Sequence, residues 1–142
     1  MAREPEDDLE RDEPYDDVVS EVKAFLEERL AFAVGEGVSE ENVWLDPGLG
    51  FGKTVEHNLE LLRRLDEIAA IGRPVVVGTS RKSFLGKLAG GRDESERLPG
   101  TIATNVLALE RGARIFRVHD VAQNRDALAI VAATVGLPDE ER

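Results

Sequence analysis

Three short apolar runs alternate along the chain with stretches in which apolar residues recur every three or four positions. That alternation predicts strands separated by helices. Val18, Val19, Val22, Phe25, Leu26, Leu30 and Ala33 form the first helical stripe, with Asp16 or Asp17 as its cap and Gly35 and Gly37 as its stop. Val43-Trp44-Leu45 reads as a strand. Leu59, Leu62, Leu65, Ile68 and Ala69 form a second helix, ended by Gly72 and Pro74. Val75-Val76-Val77 is a β-branched run suited to a strand buried on both faces. A short helix over 82–88, a polar loop over 90–99 and a helix over 101–111 follow. A third strand over 114–118 and a last helix over 126–135 complete the chain. The order α-β-α-β-α-β-α, with one extra short helix, implies parallel pairing through right-handed crossovers. Three strands leave two open edges, so a complete doubly wound sheet or barrel would contain more.

Composition adds limits. The 142 residues are enough for one domain with a core. The net charge of −11 argues against nucleic acid, which needs a basic stripe. Between Met1 and Asp17, nine acids against two arginines leave −7 of that charge. Residues 1–14 therefore read as an acidic loop or disordered arm, 15–138 as the domain and 139–142 as a charged tail. No apolar run approaches the ~18–20 residues of a membrane span, and the acidic start fits neither a signal nor a transit peptide. The absence of cysteine fits a reducing compartment, and a cytoplasmic location is expected. Two well-separated histidines argue against a histidine metal site.

The candidate chemistry lies just after the strands, where α/β folds bind ligands. Residues 47–54, PGLGFGKT, nearly match a phosphate-binding P-loop, but Pro47 stands where its first glycine belongs. Asp46 ends an apolar strand and needs a partner there. It could accept two N–H bonds from a pterin or guanine edge, or cap the following turn. In Gly78-Thr79-Ser80-Arg81-Lys82-Ser83-Phe84, Gly78 permits a close approach, and Arg81 and Lys82 bring cations. Ser83 sits near a helix start, which favours a carboxylate or phosphate; an exposed basic turn is the alternative. In Arg117-Val118-His119-Asp120, alternation places Arg117 and His119 on one side, as a pair suited to pyrophosphate. His119 could also act as general acid or base. Asp120 could orient His119 or cap the last helix. His57 reads as a solvated or capping residue.

Together these segments resemble the dihydropteroate synthase family. Leu45 to Lys53 follows its L-D-P-G-x-G-F-x-K pattern, Gly78 to Phe84 its G-x-S-R-K-S-F pattern, and Arg117 to Val121 its R-V-H-D-V pattern. The likeness runs from about residue 14 to 136. It implies the C-terminal three βα units of a (β/α)8 TIM barrel, preceded by a helix, without the family's N-terminal half. It implies condensation of 6-hydroxymethyl-7,8-dihydropterin pyrophosphate with p-aminobenzoate, giving dihydropteroate and pyrophosphate in folate biosynthesis. By the same resemblance, Asp46, Phe51, Gly78, Lys82 and Arg117 would bind pterin. Phe51, Lys82 and Ser83 would bind p-aminobenzoate, and Arg117 and His119 would bind pyrophosphate. Lys82, Arg117 and His119 would be catalytic. Mg²⁺ is implied, with its protein ligand in the N-terminal half, as is a homodimer through the C-terminal helices. The alternatives are the pterin-binding domain of a methyltetrahydrofolate methyltransferase, and a non-catalytic remnant or partner protein.

Overall fold

Asp17 opens the first helix by accepting the backbone N–H groups of Val19 and Ser20 at 3.1 and 3.2 Å. The computed structural model describes residues 15–138, so the predicted acidic arm and charged tail lie outside the described residues. Helix α1, Val18–Gly35, buries Val18, Val19, Val22 and Leu26. Its later half is less covered than the apolar stripe predicts, and Phe25 is 59% exposed. No helix among the described residues is long and apolar enough to cross a membrane.

The expected strand at 43–45 shrinks to one parallel bridge, Leu45 to Val75. Leu45 N–H donates to Pro74 O at 2.9 Å, and Val76 N–H donates to Leu45 O at 2.8 Å. The next donor on that ladder would be residue 47, and Pro47 has no N–H to give. Thr54 and His57 then start α2, Val55–Arg63, with a reciprocal capping box. The single predicted helix is two: α3, Leu65–Ala69, follows a break at Arg64. The Arg64 guanidinium ties this corner to the start of α1 through Asp17, at 3.0 Å.

Strand β1, Val76–Val77, lies between the Leu45 bridge and strand β2, Ile115–Phe116. Val76 pairs with Ile115 and Val77 with Phe116, in parallel. The result is an α/β arrangement, rich in helix, around a small parallel sheet. Between the strands lie α4, Ser83–Leu88, a 3-10 turn, Glu94–Glu96, and α5, Leu98–Glu110. Helix α5 begins three residues before the predicted start because Pro99 occupies its first turn, where a missing N–H costs nothing. Helix α6, Val121–Thr134, begins five residues before its predicted start, directly after the third loop. The core is formed by Val19, Leu45, Leu61, Leu65, Ile68, Val75, Val77 and their neighbours. Gly112, at φ +108°, lets the turn after α5 press on α3: a Cβ there would lie 2.7 Å from Ala69 Cβ.

Candidate functional site

The first loop is held from within. Asp46 Oδ1 accepts Gly48 N–H at 2.8 Å, the turn cap that was one of its two expected roles. Asn58, buried in α2, accepts Gly50 N–H at 2.7 Å and donates to Thr54 O at 3.0 Å. Lys53 folds under the loop, and its Nζ donates to Gly48 O and Phe51 O, both at 2.8 Å. A P-loop presents backbone N–H groups to phosphate. Here two loop carbonyls converge on a buried lysine, which is the opposite polarity. The hydroxyl of Thr54 accepts His57 N–H and so serves the helix start.

The second loop turns through Arg81, which has φ +58°. That left-handed conformation is secured by bonds on several sides. Arg81 N–H donates to Thr101 Oγ1 at 3.1 Å, and Arg81 O accepts Arg97 Nη1 at 2.7 Å. The guanidinium reaches Asp120, with Nη2 to Oδ1 at 3.0 Å. The hydrogen bond that Arg81 donates to the Asp120 carboxylate holds the Arg81 pKa above its ordinary value. Arg81 thus binds the second loop to the third, and only Lys82 of the two expected cations enters the cleft. Lys82 Nζ donates to Leu49 O and lies 4.4 Å from the centre of the Phe51 ring.

Lys82, Phe51, Gly78, Ser80, Arg117 and His119 line one cleft of about 240 Å³. Val118 lines it too, because β2 ends at Phe116 and strict alternation does not continue past it. Arg117 Nη2 donates to Asp46 Oδ2 at 2.8 Å, so Asp46 has both a cap and an ionic partner. Gly78 makes room for that guanidinium: a Cβ there would lie 2.9 Å from Arg117 Nη2. A second cleft of about 440 Å³ runs between α1 and the first loop. Phe51 lines both clefts, and the Asp46–Arg117 pair joins their walls. Ser83 is exposed and lines neither cleft.

His119 is oriented by Ser80, while the Asp120 carboxylate pairs with Arg81 instead. Ser80 Oγ lies 2.8 Å from His119 Nδ1 and accepts His119 N–H at 3.0 Å. Asp120 occupies the N-cap position of α6 but makes no side-chain cap bond. Beneath the cleft a buried polar chain connects the loops. Thr79 Oγ1 meets Thr104 Oγ1 at 2.8 Å and Asn105 Oδ1 at 3.4 Å. Asn105 Nδ2 donates to Asn124 Oδ1, and Asn124 Nδ2 donates to Asp120 O, both at 2.9 Å. Asn58, Asn105 and Asn124 carry no motif that marks them in the sequence, and Ser80 lies within the Gly78 to Phe84 motif with nothing there to single it out. The available signal was a polar side chain on an apolar helical face, as at Asn105 between Thr101 and Ala108.

Among the described residues, no three or more His, Cys, Asp or Glu side chains gather where they could hold a metal ion.

A family model described as pterin binding enzyme matches residues 1–119. The dihydropteroate synthase of Streptococcus pyogenes is 40% identical over 124 residues, covering 87% of this chain and 47% of that protein. The Escherichia coli (strain K12) dihydropteroate synthase is 43% identical over 128 residues, covering 90% of this chain and 45% of that protein. The Thermus thermophilus dihydropteroate synthase, solved with 4-aminobenzoate, superimposes with a TM-score of 0.82 at 52% identity. That match covers 87% of this chain and 49% of the other. The Xanthomonas albilineans enzyme, solved with 7,8-dihydropteroate, gives a TM-score of 0.84 at 42% identity over 88% of this chain and 49% of the other. The chain spans about half the length of the curated relatives it matches.

Proposed function

The chain belongs to the pterin binding enzyme family, and from that membership we propose that it supplies part of a dihydropteroate synthase site in folate biosynthesis. The observation that carries this reading is the convergence of Lys82, Arg117, His119 and Phe51 on one cleft beyond the ends of parallel strands. In the reaction, the bond between the pterin methylene carbon and the pyrophosphate oxygen breaks. Pyrophosphate leaves with the electron pair. The amine of p-aminobenzoate forms the new C–N bond and loses a proton.

Arg117 and His119 meet the negative charge that develops on pyrophosphate, where fixed donors act most strongly. Asp46 accepts the pterin's paired N–H groups. Its bond to Arg117 joins side chains that are 38% and 59% exposed. A pair of that exposure contributes about 0–1 kcal/mol, so exchange for ligand contacts is cheap. Lys82 and Phe51, already stacked, flank the p-aminobenzoate ring, and Ser83 would reach its carboxylate only after the ligand extends past the cleft. Gly78 keeps the pterin plane close to the backbone.

The same reading makes the Leu45 bridge, β1 and β2 three consecutive strands of a (β/α)8 barrel, in agreement with their spatial order. It makes the C-terminal helices a homodimer surface, supported by exposed Val121, Ile130 and Val135 on and beside α6. Magnesium, in this proposal, takes its protein ligand from outside the described residues, and no step above uses it. A cytoplasmic setting suits a chain without cysteine. The test is calorimetric titration of the pterin pyrophosphate into the full chain. Binding that weakens in both Asp46→Asn and Arg117→Ala supports the reading. Binding indifferent to both overturns it.

A further inference from the structure

We propose that Ser80 is a positioning residue that fixes the tautomer of His119, so that the neutral imidazole presents an Nε2–H donor to pyrophosphate. The proposal rests on the synthase reading for the identity of the anion, and on geometry alone for the tautomer.

A serine hydroxyl has one hydrogen to donate and two lone pairs to accept with. His119 N–H, at 3.0 Å, takes one lone pair of Ser80 Oγ. The contact to Nδ1, at 2.8 Å, can then run in either direction. If Nδ1–H donated, the Ser80 hydrogen would need another acceptor. Ser80 is 8% exposed, and its hydrogen-bond partners among the described residues all belong to His119. That arrangement would leave the Ser80 hydroxyl hydrogen, largely buried at the cleft wall, without a protein acceptor among the described residues, which is unfavourable. If Ser80 donates to Nδ1, the Ser80 hydrogen and the Nδ1 lone pair are both used. The neutral ring must then carry its proton on Nε2.

The consequence is chemical. His119 lines a cleft already occupied by Lys82 and Arg117. A neutral Nε2–H donor can meet an anion there without adding a third positive charge beside two others. Nδ1 is occupied by Ser80, so Nε2 is the nitrogen left for the ligand. Ser80 itself is fixed from both sides: Thr79 before it enters the buried asparagine chain, and Arg81 after it pairs with Asp120.

The chain offers its own control. It has two histidines, and His57 Nδ1 accepts Thr54 N–H at 3.3 Å. A backbone N–H can only donate, so His57 is fixed as the Nε2–H form on independent grounds. The experiment labels histidine nitrogen in the full 142-residue chain and records long-range nitrogen–proton correlations at a pH well above the ordinary histidine value of about 6.5. The wild type should show both rings as Nε2–H. Ser80→Ala should turn His119 alone into a tautomer mixture, and Ser80→Thr should restore it, with His57 unchanged as the sign of an intact fold. A wild-type His119 in the Nδ1–H form overturns the proposal without any variant, as does a His119 pattern unchanged in Ser80→Ala. Inorganic pyrophosphate is then titrated. It should shift the His119 signals, with affinity about tenfold lower in Ser80→Ala than in Ser80→Thr. A correct tautomer with no response to pyrophosphate overturns the anion role and the synthase reading behind it, while the tautomer assignment stands.

Discussion

Replacing Gly78 with alanine separates the stability of the cleft from its binding function. The new Cβ would lie 2.9 Å from Arg117 Nη2 and 3.3 Å from its Cζ and Nε. The guanidinium must move out by roughly 0.5–1 Å to reach ordinary contact. Gly78 is not among the glycines with positive φ, so alanine meets no backbone strain there. Alanine also restricts the unfolded chain, which favours folding by about 0.4–1 kcal/mol. Against this stands the loosened Asp46–Arg117 pair, worth about 0–1 kcal/mol at its exposure. The two effects offset, and the unfolding free energy should change by less than about 1 kcal/mol. Binding should change far more. A hydrogen bond to a charged group contributes about 1.5–3 kcal/mol, so displacing Arg117 should weaken pyrophosphate roughly 10- to 100-fold. Calorimetric titration and denaturant unfolding measure the two quantities side by side. In an Arg117→Ala background the alanine should add almost nothing to the binding defect, since both changes act through one guanidinium. Unchanged pyrophosphate affinity in Gly78→Ala, or additive losses in the double variant, would refute the reasoning.

Other predictions concern the scaffold. Asn58→Ala leaves Gly50 N–H without its partner, while Thr54 O keeps the α2 backbone bond from Asn58 N–H. Urea unfolding should show a loss of about 1–3 kcal/mol, and a loss below about 0.5 kcal/mol would show that Asn58 does not clamp the loop. Asn105→Ala and Asn124→Ala break the same buried chain, so the double variant should cost clearly less than the sum of the two, and strict additivity would mean they are independent. The backbone N–H of Ser20 and then the Arg64 guanidinium hold the Asp17 carboxyl at about 2, below its ordinary 3.8. A lowered folded pKa means that its stabilising effect is full above 3.8 and is lost as pH falls through about 2. The stability gap between wild type and Asp17→Asn, followed by circular dichroism, should therefore close across that window. A gap that widens on acidification would contradict the assignment.

The sequence made the strand–helix order legible because apolar periodicity reports burial directly. Val75 to Val77 read as an inner strand, and all three are buried, Val75 and Val77 completely. Strand lengths were less legible. Pro47 ends the first ladder after one bridge, an effect of register that periodicity does not encode. Pro99 looked like a loop residue and is a helix opener, since the same residue suits both. In the site, Arg117, His119 and Lys82 were visible as charged residues at strand ends and Phe51 through the family resemblance alone, and the fold brings all four to one cleft. Arg81 was misplaced because its direction depends on a left-handed turn that no neighbouring glycine announces. The orienting role expected of Asp120 belongs to Ser80, which lies 39 positions away from His119. Contacts across that distance arise from sheet packing, and local pattern cannot show them.

The central claim is that these three loops form a working part of a dihydropteroate synthase site. It is tested most directly by joining this chain to the part of the Thermus thermophilus enzyme outside the matched half, and assaying the folded chimera for dihydropteroate formation. Product should form from the pterin pyrophosphate and 4-aminobenzoate, and be lost on Arg117→Ala or Lys82→Ala. A folded chimera that makes no product, or one whose product survives both substitutions, would contradict it.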